Sequence, residues 1–178
     1  MVIMTESLSE NLEDTLWNIG LNSHNMSTQD IKKYIDLLKN TDIPPKTVLN
    51  GVSYLMHTYF FCMEDLEKEE CIDLLLAIDT KNLVNFGDIF DILAILFKKA
   101  PNNKKDDIFK YILNNSNKCL SSPSALISIC NSFSYIFDEL RLEEKIQLIE
   151  KLKYLMECNT YKHLRETFEF TLSLFEKD

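Results

Sequence analysis

Apolar residues recur along this chain in stripes with the spacing of one helical face, and several stripes end on an aromatic residue. These aromatic ends are 36, 40 and 38 residues apart and lie at Phe61, Phe97, Phe137 and Phe175. After each of the first three, another apolar stripe begins eleven residues later. Such self-similarity predicts a stack of two-helix repeats.

The second stripe of each unit can be followed farther back along the chain. Its first residues are 41, 36 and 40 residues apart and lie at Ile31, Ile72, Ile108 and Leu148. Apolar residues follow three and four positions after each of the first three, and four and seven positions after Leu148. This is the pattern of an amphipathic helix and not of a strand. We therefore expect an all-α fold, a right-handed α-solenoid of about four two-helix repeats of 36–41 residues each, which ends on an unpaired helix.

One helical-repeat domain is expected over residues 9–178, preceded by a flexible N-terminus at residues 1–8. Apolar stripes and turn residues predict helices at 9–20, 27–39, 45–62, 66–79, 86–99, 103–114, 124–139, 142–157 and 161–176. Ser27 and Asp30 have the spacing of a helix-capping arrangement at the start of the second of these helices. Asn50 and Gly51 predict a bend or a split in the third.

Composition and charge narrow the class of partner. Hydrophobic residues make up 46% of the chain, with only 3 Gly and 4 Pro, so a folded domain is expected and not a disordered or loop-rich chain. The net charge of -9 opposes attraction to phosphate backbones and to anionic lipid surfaces. We expect a protein partner, or a nucleic acid that is already partly neutralised, and no membrane association.

The N-terminal residues and the cysteines indicate the compartment. The chain begins without a basic segment or a long apolar core, and no apolar run has the length of a membrane span. Its 5 cysteines form no C-x-x-C pair, and Cys62, Cys71 and Cys130 adjoin apolar stripes as small buried residues would. We expect an intracellular protein in a reducing compartment, with the cytoplasm favoured and the mitochondrion as the alternative.

Candidate chemistry is sparse. The histidines are His24, His57 and His163, and none lies in a pattern that would give metal ligands or catalytic groups a shared face. Metal ligation by His57 and Cys62 would need a third ligand that the local sequence does not supply. No catalytic, metal or cofactor site is therefore expected.

Two charged clusters are candidate binding sites. The densest acidic run contains Glu64, Asp65 and Glu67. It is interpreted either as a solvated corner between helices or as a docking site for a basic partner. The main basic region, the lysine corner, brackets Pro101 and supplies candidate phosphate contacts at Lys98, Lys99, Lys104 and Lys105. The negative charges of the neighbouring Asp106 and Asp107 weaken this candidate phosphate site.

The last predicted helix carries apolar residues on more than one side. Leu164, Phe168, Leu172 and Phe175 form the stripe expected to face inward. Phe170 and Leu174 fall toward the other side and are candidate partner-binding residues. The alternative is an ordinary terminal cap that packs entirely on the preceding helices.

The repeat unit resembles armadillo and HEAT-type helical repeats. It is also similar to the heptatricopeptide and octotricopeptide arrays of organellar RNA-associated proteins. The second likeness rests on Leu16-Trp17-Asn18-Ile19-Gly20 and on two related segments, Asp30-Ile31-Lys32-Lys33-Tyr34-Ile35 and Asp107-Ile108-Phe109-Lys110-Tyr111-Ile112. The first resemblance implies a non-enzymatic interaction scaffold within a larger assembly. The second implies an organellar protein, for example at the periphery of a mitochondrial ribosome, that contacts RNA through the lysine corner.

Overall fold

The structure is a computed structural model that describes residues 26–40, 43–78 and 87–175. All regular secondary structure in these ranges is helical, which confirms the all-α class. The chain divides into two compact units, Met1–Leu83 and Val84–Asp178. The single helical-repeat domain over 9–178 stays a prediction. The predicted flexible segment at 1–8 and the predicted helix at 9–20 lie outside the described residues.

The first unit contains three described helices, α1 (Thr28–Leu38), α2 (Pro45–Thr58) and α3 (Asp65–Leu76), and each contacts the other two. The predicted cap of α1 is confirmed, because the Ser27 hydroxyl accepts from the Asp30 amide and the Asp30 carboxylate accepts from the Ser27 amide. The predicted stripe of α1 is buried, at Ile31, Tyr34, Ile35 and Leu38.

Gly51 permits a close approach between α1 and α2. The predicted split at this residue is wrong, since α2 runs without interruption through it, whereas the predicted bend stays a prediction. A Cβ atom at Gly51 would lie 2.8 Å from Cδ2 of Leu38, well inside van der Waals contact. The missing side chain therefore lets the two helices pack closely, and it does not mark a break in α2.

The second unit contains α4 (Gly87–Phe97), α5 (Asn102–Asn115), α6 (Pro123–Ile136), α7 (Leu142–Cys158) and α8 (Arg165–Phe175). Short 3-10 segments lie at Ser116–Ser121, Phe137–Glu139 and Lys162–Leu164. The predicted helices at 124–139 and 161–176 are thus each shorter as α-helices and are joined to a 3-10 turn. Ser122 caps α6 by accepting from the Ala125 amide, and Pro123 occupies the first helical position.

Helix α6 lies between α4 and α8 and contacts both, with its most extensive packing against α4. Residues about one repeat apart meet along these contacts. The Ser128 hydroxyl donates to Asp91 at 2.9 Å, 37 residues away. The Phe137 ring stacks on the Phe175 ring with centroids 4.0 Å apart. Between α5 and α7, Arg141 contacts Asp106 at 3.1 Å, 35 residues away.

The Tyr111 hydroxyl is buried and has no hydrogen-bond partner among the residues that the structure describes, and burial raises the pKa of this phenol to about 12. A buried hydroxyl loses its hydrogen bonds to water on folding, and without a partner in the protein no new bond compensates for that loss. We therefore expect Tyr111→Phe to leave the free energy of unfolding unchanged or to raise it by up to about 1 kcal/mol in urea denaturation.

A matched control is Tyr161→Phe, because the Tyr161 hydroxyl donates to the Ser121 carbonyl at 3.0 Å. That substitution should lower stability by about 0.5 to 1 kcal/mol. A loss at Tyr111 as large as the loss at Tyr161 would contradict the assignment of an unpaired hydroxyl.

Candidate functional site

Helix α8 has one buried and one exposed apolar side, as the sequence predicted. Phe168 and Phe175 are buried, whereas Phe170 is 64% exposed and Leu174 is 38% exposed. Leu172, expected to face inward, is only half-buried. The two exposed side chains are four residues apart and so lie one above the other on the helix surface. They form a small apolar patch on the outside of α8.

Other helices of this unit also carry apolar side chains on their solvent-facing sides. Ile95 on α4 and both Ile127 and Tyr135 on α6 are exposed. The Lys98 ammonium lies 4.3 Å from the centroid of the Tyr135 ring, so the outer sides of α4 and α6 meet there. Exposed apolar residues therefore lie on the outer sides of α4, α6 and α8. Phe170 is more exposed than Leu174 and than each of the three residues on α4 and α6.

The lysine corner is largely engaged with neighbouring residues. The Lys105 ammonium lies 3.3 Å from the Glu139 carboxylate and 5.5 Å from the centroid of the Phe97 ring. Lys98 covers Tyr135, and Lys99 and Lys104 each have an interaction partner as well. A phosphate group at this corner would have to compete with these contacts.

A cleft of about 450 Å³ lies beside this corner, at the N-terminal ends of α5 and α7. Lys105 and Arg141 line it together with the carboxylates of Asp106, Glu139 and Glu144. Arg141 pairs with Asp106 and Glu144, and its hydrogen bond to Glu144 holds the pKa of that carboxyl below its usual range. The cleft therefore has mixed charge, which is a poor match for an anion.

The acidic run in the first unit divides into exposed and buried parts. Glu67 is buried, and its carboxylate accepts from the Glu64 amide at 2.9 Å in the cap of α3. This corrects the expectation that the whole run is solvated. Asp65 is exposed and pairs with Lys68 at 3.0 Å. Glu64 and Asp65 are therefore accessible to a partner, whereas the Glu67 carboxylate is buried in the cap of α3.

Polar groups inside the second unit join helices to each other. Asp91 of α4 accepts from the hydroxyls of Ser128 and Ser132 of α6 at 2.9 and 3.4 Å. Burial raises the pKa of Asp91, and the two hydroxyls oppose that shift. Since both contacts come from serines on the neighbouring helix, this cluster links α4 to α6.

The cysteines have the character of core residues at three of five positions. Cys71, Cys119 and Cys130 are buried, and burial raises the pKa of each thiol to about 12, which suppresses the nucleophilic thiolate. Cys62 is exposed, so the expectation that it is buried was wrong. Within the described ranges, no cluster of three or more His, Cys, Asp or Glu side chains has the geometry to hold a metal ion.

A second exposed surface, on α7, was missed by our reading of the sequence. Leu142 is 74% exposed and Ile146 is 49% exposed on a side of α7 away from its buried Leu148, Leu152 and Leu155. The sequence does contain a signal for it, because apolar and acidic residues each recur here every seven positions. The prediction for this helix covers only its buried stripe.

This chain matches no known family model, no curated protein and no solved structure. In the part of the chain that the structure describes, no helix has both the length and the apolar character needed to cross a bilayer. Its function must therefore be inferred from its own surfaces.

Proposed function

We propose that this protein is a non-enzymatic helical-repeat scaffold, a subunit of a larger protein or ribonucleoprotein assembly. The observation that carries the proposal is the exposed apolar patch of Phe170 and Leu174 on α8. Burying a large apolar side chain stabilises by about 1.5 to 3 kcal/mol, so two such residues can supply a substantial part of a binding energy. Together with the outward residues of α4 and α6, they favour a protein surface as the partner.

The stacking within residues 87–175 supports a repeat architecture for this scaffold. Contacts join residues 37 apart at Asp91 and Ser128 and 35 apart at Asp106 and Arg141, close to the repeat length in the sequence. Equivalent helices within these residues thus touch their counterparts in the next repeat. We therefore propose that this part of the chain is an α-solenoid of the armadillo or HEAT type. The right-handed twist and the number of about four repeats stay predictions.

RNA contact through the lysine corner is the less favoured alternative. Lys98 and Lys105 already face Tyr135 and Glu139, and the adjacent cleft contains three carboxylates. Phosphate binding would add the cost of separating these pairs to the repulsion from a net charge of -9. We expect no RNA binding by the isolated chain at physiological salt.

The double substitution Phe170→Ser and Leu174→Ser tests the proposal. We expect it to weaken partner association by roughly 10- to 100-fold, because the apolar contact is lost, and to leave the unfolding midpoint nearly unchanged. The measurement is quantitative co-purification of the tagged chain from its native source, with and without nuclease. Leu37→Ser is the matched control, because Leu37 is 42% exposed on α1, outside the proposed surface, and this variant should keep its partners.

Two outcomes would contradict the proposal. Retention of every partner by the double variant would exclude α8 as the binding surface. Release of the partners by nuclease, together with salt-sensitive RNA binding by the purified chain, would favour the RNA alternative.

A further inference from the structure

Helix α7 carries a heptad seam that lies outside the packed core of the second unit. Leu142, Ile149 and Met156 recur every seven residues, and Ile146 and Lys153 alternate with them at steps of four and three. These are the spacings of the d and a positions of a coiled coil. Leu142, Ile146 and Lys153 are exposed, and Ile149 and Met156 are half-buried. The helix thus presents a second, largely uncovered apolar face.

An acidic column runs beside this seam. Glu143, Glu150 and Glu157 each follow a d position and so occupy successive e positions. All three are exposed, and none forms an ion pair with a described residue. Arg141, which is close to Glu143 in sequence, pairs instead with Asp106 and Glu144. Charges at e positions determine which helix can lie against a seam and in which orientation. This column selects for a partner helix with basic residues along its facing edge.

A second copy of this chain fits the seam poorly. Antiparallel pairing of two α7 helices would place the glutamate columns against each other. Parallel pairing would place Lys153 against its own counterpart. It would also draw Lys145, at a g position, toward the glutamates of the other copy and so away from the Phe137 ring, whose centroid is 4.7 Å from the Lys145 ammonium. The net charge of -9 adds repulsion between copies.

We propose that the outer face of α7 binds an amphipathic helix of another protein, one with a heptad apolar stripe and Lys or Arg along the edge that faces Glu143, Glu150 and Glu157. The apolar stripe packs on Leu142 and Ile146, and the basic edge neutralises the acidic column. This inference rests on the proposed scaffold function and names the chemistry of one partner, but it uses a different helix from the α8 patch.

The test measures binding of synthetic helices to the full chain by fluorescence anisotropy. One labelled peptide of about three heptads has Leu at a and d and Lys at e and g, and a second has Glu at e and g. A third has the composition of the basic peptide in scrambled order. We expect the basic heptad peptide to bind at least about tenfold more tightly than either of the others.

Variants of the chain separate the seam from general attraction between opposite charges. Replacing Glu143, Glu150 and Glu157 by Lys should reverse the preference toward the acidic heptad peptide. Leu142→Ser with Ile146→Ser should weaken binding of the basic peptide at least about tenfold. A control with the same change in net charge replaces three exposed acids away from the seam by Lys, at Asp107, Asp138 and Glu166. This control should keep the preference for the basic peptide, and thermal unfolding shows that each variant is folded.

Three results would overturn the inference. Equal binding of the basic heptad peptide and its scrambled form would show that only charge is recognised. Equal losses of basic-peptide binding in the variant with Lys at Glu143, Glu150 and Glu157 and in the control charge variant would show the same. Self-association of the chain that disappears in the Leu142→Ser, Ile146→Ser variant would assign the seam to a second copy.

Failure of this inference can be told from failure of the scaffold function. The Phe170→Ser, Leu174→Ser variant should bind the basic peptide as the unchanged protein does. If that variant retains all native partners while the peptide preference persists, the α8 proposal fails and the α7 inference stands. If the chain shows no preference for the basic peptide while partner binding still depends on α8, the α7 inference fails and the α8 proposal stands.

Discussion

Replacing Phe137 by alanine should lower the free energy of unfolding by about 3 to 5 kcal/mol. The ring is only 4% exposed and stacks on Phe175 with an angle of 9° between the two planes, so it joins the end of α6 to α8. Phe97→Ala should cost a similar amount, because that ring is 3% exposed at the equivalent end of α4. Urea denaturation of the full chain, followed by circular dichroism, measures both effects.

The matched control for these two variants is Phe170→Ala, which removes the same ring from an exposed site. It should change the free energy of unfolding by no more than about 0.5 kcal/mol. A nearly neutral Phe97→Ala would mean that the repeat register places the wrong aromatic residues in the core.

Replacing Gly87 by alanine should lower the free energy of unfolding by about 1 to 3 kcal/mol. A Cβ atom there would lie 2.9 Å from Oγ of Ser128 and 3.2 Å from Cα of Ala125, so it would press on the backbone of α6. Backbone cannot rotate away as a side chain can. The added methyl group would therefore separate α4 from α6 and weaken the Asp91–Ser128 hydrogen bond.

Gly51→Ala is the informative comparison for Gly87→Ala. Its Cβ atom would meet the terminal methyl groups of Leu38, which can shift, and alanine inside a helix is favoured over glycine by about 1 kcal/mol. The net cost at Gly51 should therefore be the smaller of the two in the same denaturation experiment. A larger loss at Gly51 would show that the α1–α2 contact is more rigid than the α4–α6 contact.

Local patterns predicted most of the helical architecture. The Ser27 cap and the buried stripe beginning at Ile31 follow from side-chain types at fixed spacings, and the structure confirms both. The exposure of Phe170 and Leu174 follows in the same way, because their positions on α8 lie opposite the stripe that contains Phe168. Such features depend on the periodicity of one helix, which a single sequence contains.

Features that depend on a neighbouring helix, or on the residue at which a helix begins or ends, could not be predicted in this way. Gly51 predicts a bend or a split because glycine weakens helices in general, whereas its role here is set by Leu38 on another helix. Glu67 belonged to an acidic run, and only the start of α3 assigns its carboxylate to the cap. Cys62 follows the last turn of α2, so the apolar stripe beside it does not determine its burial. At Gly51 the missing information is tertiary, whereas at Glu67 and Cys62 it is the residue at which a helix begins or ends.

The scaffold proposal is tested most directly by hydrogen exchange of the α8 amides in the free chain and in the complex with its native partner. A surface that is covered on binding opens less often, so its amides exchange more slowly. We predict slower exchange around Phe170 and Leu174 in the complex, together with loss of the partner from the Phe170→Ser, Leu174→Ser variant. Equal exchange of these amides in the free and bound states would contradict the assignment of α8 as the binding surface.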